Sequence, residues 1–191
     1  MAYFQYAPPI SGIPPFIRYP ASSRLKSATE EVEYGVEIKE LGHLVLYVRN
    51  LDVSAHFYRD VLGWRELDVA EPGEVLPFPA RLFSAPSNRT HHELLLIEVG
   101  ANATPIPGGR RVGMYHFGLK IGDSDDELRA ALQTLVDNNV TITGASDHTV
   151  THSLYIQDPD GNEIELYVDV PGVDWKNNPA LIAAPIKPLR L

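Results

Sequence analysis

The feature that most limits the fold of this chain is a pattern of predicted elements that occurs twice. Each occurrence reads as a strand, a helix and three further strands within about 60 residues. The first covers about residues 40–100 and opens with LGHLVLYV, and the second covers about residues 112–170 and opens with GMYHFGLKIG. The sequence therefore predicts an α+β fold, in which paired βαβββ units form one curved mixed sheet with an inner face open to a ligand.

Local signals set the limits of the helices and of two arms. Asp52 is predicted to cap the first helix, which ends at Gly63, and acidic residues open the second. Residues 1–37 and 171–191 are rich in proline and show neither strand nor helix period, so they are predicted to be extended arms that lie against a protein surface. The domain itself is predicted over residues 38–170.

Composition excludes several classes of function. The net charge is −9, from 16 basic and 25 acidic residues, which argues against nucleic acid and against an anionic membrane as partners. No apolar run approaches about 18 residues and no signal pattern opens the chain, so we expect a soluble, cytoplasmic protein. The chain has no cysteine, so any metal ligands must be nitrogen and oxygen, and the 7 histidines become the informative residues.

Three side chains of the repeat could hold a metal ion. His43 lies in the first strand of the first unit, His116 lies at the matching place in the second, and Glu165 lies in the last strand. Strand parity puts each of them on the less apolar face of its strand. Two imidazoles and one carboxylate form a facial triad, which leaves positions on a divalent ion open for a substrate and O2.

Two longer motifs resemble a known superfamily. The stretch LGHLVLYVRNLDVSAHFYRDVLGW resembles the opening unit of the vicinal oxygen chelate superfamily, and SLYIQDPDGNEIELYVD resembles its closing strands. The resemblance covers about residues 38–170. It implies paired βαβββ units and a metal held by His43, His116 and Glu165.

Within that superfamily, RTHHELLLIEV is similar to the double-histidine strand of extradiol catechol dioxygenases. The resemblance implies that His92 is an acid–base residue, that Tyr155 bonds a hydroxyl of the substrate, and that His148 supports the site. It implies ring cleavage of a catechol-like aromatic diol by O2 in the breakdown of aromatic compounds. Fe(II) is the expected metal, with Mn(II), Zn(II) or Ni(II) as alternatives.

Two other functions remain open at this point. A glyoxalase-like isomerase or lyase would use Glu98, near the end of its strand, as a fourth ligand. A small-molecule binding protein of the resistance type would need no metal. A homodimer is expected from the frequency of two-fold symmetry, and the aromatic side chains of the N-terminal arm could form part of its contact.

Overall fold

The computed structural model describes residues 36–68 and 76–191. Both copies of the repeat belong to one compact unit, residues 41–191. Most of the arm predicted over residues 1–37 therefore lies outside the described residues, as do its aromatic side chains. No helix in the described part of the chain is long and apolar enough to cross a membrane.

The first copy of the repeat forms a four-stranded sheet with one helix. Strand β1 lies parallel to β4 with Leu44 beside Leu94, and β2, β3 and β4 are antiparallel, which gives the order β1-β4-β3-β2. The elements are β1 (Leu44–Val48), α1 (Leu51–His56, continued by a π-helical turn over Phe57–Val61), β2 (Arg65–Glu66), β3 (Ala80–Ser84) and β4 (Leu94–Glu98).

The second copy forms a five-stranded sheet with a longer helix. Its order is β5-β8-β7-β6-β9, with β5 and β8 parallel and the other pairs antiparallel. The elements are β5 (His116–Gly122), α2 (Asp125–Asp137), β6 (Ile142–Asp147), β7 (Thr151–Gln157), β8 (Glu163–Asp169), a 3₁₀ turn (Pro179–Ala183) and β9 (Lys187–Pro188). The paired units predicted from the sequence are present, but each makes its own sheet among the described strands.

A polar clamp joins the two copies beside their shared hydrophobic core. Tyr58, which is fully buried in the first copy, donates its hydroxyl proton to Asp158 of the second at 2.9 Å. Arg49 donates from its backbone N–H and its guanidinium to Asp160 in the same hairpin. Burial raises the pKa of Asp158, and the donors around its carboxylate include two backbone N–H groups of the turn. This turn therefore fixes the closing hairpin against the first copy.

Several local expectations differ from the structure. Strand β1 begins at Leu44, so His43 lies just before it. Asn50, rather than Asp52, caps α1, because its side chain accepts the N–H of Val53 at 3.0 Å. The C-terminal arm, which was expected only as an extended segment against a surface, also contributes a strand, because β9 pairs with β6 at the edge of the second sheet.

Candidate metal centre

One face of the second sheet collects most of the residues predicted for the site. Glu165 of β8 lies beside Gly118 of β5 on one side and beside Tyr155 of β7 on the other. Side chains of directly paired residues point to the same face of a sheet. His116, Glu165 and Tyr155 therefore share a face, while the alternate residues of β8 are buried in the core.

His116 and Glu165 face each other as two ligands of one ion would. The Nε2 atom of His116 lies 3.3 Å from Oε2 of Glu165, and the Glu165 side chain is 17% exposed. Metal–donor bonds of about 2.1 Å at right angles would separate two donor atoms by about 3.0 Å. This pair therefore fits two adjoining positions around a divalent cation.

Glu163 stands behind His116. Its Oε1 atom lies 3.5 Å from Nδ1 of His116, and its side chain is 20% exposed. Both atoms are buried and neither has a hydrogen-bond partner within the described residues. Imidazoles that bind metals usually donate their second ring N–H to a carboxylate, which fixes the tautomer and the ring orientation. Glu163, which shares a face of β8 with Glu165, is placed to accept that N–H from His116.

The carboxylate of Glu165 is held from the β7 side. Ser153 donates its hydroxyl proton to Oε1 of Glu165 at 2.7 Å, and the Tyr155 hydroxyl lies 3.2 Å from the same oxygen. His148, in the hairpin before β7, places its Nε2 atom 2.7 Å from the Tyr155 hydroxyl. Burial, followed by the negative charge of Glu165, raises the pKa of Tyr155. The phenol therefore keeps its proton at neutral pH.

Three histidines of the first copy form a separate group. The rings of His43 and His92 have their centroids 4.7 Å apart, and the rings of His91 and His92 are 4.4 Å apart. His91 and His92 lie in the loop before β4, whereas the resemblance implied a double-histidine strand, and their Nδ1 atoms lie 2.5 Å apart. Burial, with smaller effects of His91 and His43, lowers the pKa of His92. His92 is therefore a neutral imidazole at neutral pH.

The three predicted ligands do not form one group in a single chain. Across residues 36–68 and 76–191, no three histidine, aspartate or glutamate side chains are arranged to hold a metal ion. His43 and His116 both line a largely apolar cavity of about 1220 Å³, but Glu165 is not among its lining residues. One chain thus supplies the His116–Glu165 pair, and the complete triad stays a prediction.

Glu98 occupies a different place from the one a fourth ligand would need. It lies beside Val48, and both belong to the face of the first sheet on which Leu94 and Leu96 are buried. His43 precedes β1 on the opposite parity. The Oε2 atom of Glu98 accepts the N–H of Leu51 at 2.9 Å, at the first residue of α1. The carboxylate therefore caps this helix in the structure.

The sequence analysis did not identify Ser153 as a donor to Glu165, nor Glu163 as a carboxylate beside His116. Ser153 lies two residues before Tyr155 on β7, so strand parity alone could have placed both on one face. Ser153 lies close to Glu165 because of the register in which β7 pairs with β8, and the sequence does not reveal that register.

Comparison with known proteins agrees with the predicted resemblance. The profile of the Glyoxalase/Bleomycin resistance protein/Dioxygenase superfamily matches residues 40–166. A catechol-2,3-dioxygenase from Bacillus subtilis (strain 168) is 33% identical over 142 residues, which are 74% of this chain and 46% of that protein. An iron-dependent extradiol dioxygenase from Rhodococcus jostii (strain RHA1) is 32% identical over 136 residues, which are 65% of this chain and 41% of that protein. The chain thus spans less than half the length of these two relatives.

A solved structure supports the fold alone. The structure of a glyoxylase/bleomycin resistance protein/dioxygenase domain from Frankia sp. EAN1pec superposes on this chain with a TM-score of 0.57 at 22% sequence identity. The match covers 70% of this chain and 99% of that one. The predicted α+β fold with paired units is therefore confirmed.

Proposed function

Because the chain belongs to the Glyoxalase/Bleomycin resistance protein/Dioxygenase superfamily, we propose that it is a metal-dependent extradiol dioxygenase. Its substrate would be a catechol-like aromatic diol, cleaved beside its hydroxyl groups with O2. The observation that carries this proposal is the connected set on the second sheet, in which His148, Tyr155, Glu165 and His116 follow one another at 2.7, 3.2 and 3.3 Å.

Each residue of that set has a distinct part. His116 and Glu165 would hold the metal, together with His43. The Tyr155 hydroxyl, which stays protonated, would donate a hydrogen bond to a substrate oxygen, and His148 would orient that hydroxyl. His92, as a neutral imidazole, is suited to accept a proton from the diol and return it later. A bound divalent ion would supply charge stabilisation and a common template for the diol and O2.

We also propose that the active protein is a homodimer, in which His43 of one chain completes the His116–Glu165 pair of the other chain. The support is that one chain assembles only the pair. The face of β1 that has the same parity as His43 is also uncovered, because Val45 is 43% exposed and Tyr47 is 59% exposed. Apolar side chains on a sheet face are normally covered by another surface. A two-fold axis would create two equivalent sites.

A complementation experiment tests the shared site. His43→Ala and Glu165→Ala chains, each inactive alone, are unfolded together, refolded as a mixture and assayed. If the site is shared, random pairing restores about one quarter of the wild-type sites, because half of the dimers are mixed and each has one intact site. If every site lies within one chain, the mixture stays as inactive as its parents.

The activity itself is tested with the protein purified without oxygen and loaded with Fe(II). A panel of catechols is then added, and O2 uptake is followed together with the absorbance of the yellow ring-cleavage product. Uptake of one O2 per diol, with product formation, is the expected result. Silence with every catechol, combined with turnover of a methylglyoxal–thiol adduct, would replace the proposal with the isomerase function.

A further inference from the structure

Ser153 is a buried hydroxyl with a single charged partner. It lies on β7, its side chain and backbone are 0% exposed, and its Oγ atom donates to Oε1 of Glu165 at 2.7 Å. Its neighbours Leu154 and Ile156 are in the hydrophobic core on the opposite face of β7. A buried hydroxyl is tolerated only when it is hydrogen-bonded, so this bond is the reason that serine fits here.

A count of protons shows what this bond does. The Tyr155 hydroxyl carries one proton, which it donates to Oε1 of Glu165 at 3.2 Å, and Nε2 of His148 lies 2.7 Å from the same hydroxyl. A phenol can donate to only one partner at a time. Since Ser153 already donates to Oε1 through the shorter bond, Glu165 does not need the tyrosine proton.

We infer that Ser153 is a positioning residue for the metal centre. It fixes Oε1 of Glu165 toward β7, and this directs Oε2 toward Nε2 of His116 at 3.3 Å. It also leaves the Tyr155 proton available to a bound diol. This inference rests on the proposed function, because it assigns Ser153 to the orientation of a metal ligand.

The experiment measures Mn(II) affinity by electron paramagnetic resonance on the whole protein, so it needs no turnover. Ser153→Ala should weaken Mn(II) binding by about 10- to 100-fold, the usual loss when a residue that orients a ligand is removed. Ser54→Ala is the matched control. Ser54 is also buried and donates to a carboxylate, that of Asp160, at 3.4 Å. The control should bind Mn(II) as the wild type does, and circular dichroism confirms that each variant is folded.

A double-mutant cycle with Tyr155→Phe separates orientation from simple packing. Without Ser153, Tyr155 becomes the remaining hydroxyl donor to Oε1, so the double variant should lose more Mn(II) affinity than the two single losses predict together. If Ser153→Ala binds Mn(II) as tightly as the wild type, the inference about Ser153 is wrong while the metal centre stands. If the wild type takes up no Mn(II) or Fe(II), the proposed function fails, and the inference fails with it.

Discussion

The two copies of the repeat share one order of elements and present very different open faces. In the second copy, this face carries a hydrogen-bonded network of Ser153, Tyr155 and Glu165, extended by His148 and His116. In the first copy, the open face of β1 carries exposed Val45 and Tyr47. Three histidines of the first copy, His43, His91 and His92, group together just before β1 and β4.

The difference shows how a duplicated unit can divide its work. Network side chains hold one another in fixed directions, which is what a metal ligand or a substrate-binding group requires. Exposed valine and tyrosine side chains offer area and few directional contacts, which suits a surface covered by another protein. Under the proposed function, the second copy would orient the groups that react, and the first copy would supply one metal ligand and a contact surface.

The strongest way to break this comparison is Glu165→Ala. Loss of the anionic ligand should reduce Mn(II) affinity by more than about 100-fold, beyond the range expected of supporting residues. Asp169→Ala is the control on the same strand and the same face, since its carboxylate pairs with Lys120 at 2.7 Å, away from the site. Calorimetric titration with Mn(II) measures the affinity of both variants. Equal affinities in the two variants would remove Glu165 from the metal centre.

A second test asks whether the first copy supplies a ligand. His43→Ala should lower Mn(II) affinity by about 10- to 100-fold, because a nitrogen donor is lost while the pair on the second sheet remains. His91→Ala should leave that affinity close to the wild-type value, since His91 lies farther from His43 than His92 does, at 6.4 Å against 4.7 Å between centroids. A large loss in His91→Ala with none in His43→Ala would reassign the ligand.

The contact between the copies is tested by Tyr58→Phe. Removing the hydroxyl leaves the buried Asp158 carboxylate without one of its donors, so the free energy of unfolding should fall by about 1–3 kcal/mol. Urea unfolding followed by circular dichroism measures it. Tyr47→Phe, at an exposed tyrosine of the same copy, should change it by less than about 0.5 kcal/mol. Similar small changes in both variants would mean that the clamp contributes little.

The smallest effect is expected at Glu98. Glu98→Ala removes the oxygen that accepts the N–H of Leu51, and loss of such a cap should lower the free energy of unfolding by about 1 kcal/mol. The same variant should keep wild-type Mn(II) affinity, because Glu98 lies on the core-facing side of the first sheet. A loss of metal affinity with no change in stability would instead support Glu98 as a fourth metal ligand and a glyoxalase-like isomerase function.

Much of the architecture could be predicted from the sequence. The period of the apolar residues fixed the order of elements in both copies, and the matching positions of His43 and His116 pointed to a metal centre. The predicted acidic start of α2 is present as Asp125, Asp126 and Glu127, and the Ser124 side chain accepts the N–H of Glu127. These features are local, because they depend on residues a few positions apart that share a face or a cap.

What the sequence determined by itself was the order of the helices and main strands in each copy of the repeat and the face on which His116 and Glu165 lie, since both follow from side-chain periodicity along a short stretch of chain. Only the tertiary structure decided that Ser153 meets Glu165, that Glu163 stands behind His116, and that His43 groups with His92. Those contacts depend on strand register and on the packing of distant segments, and a shift of register by one residue would turn each side chain to the other face.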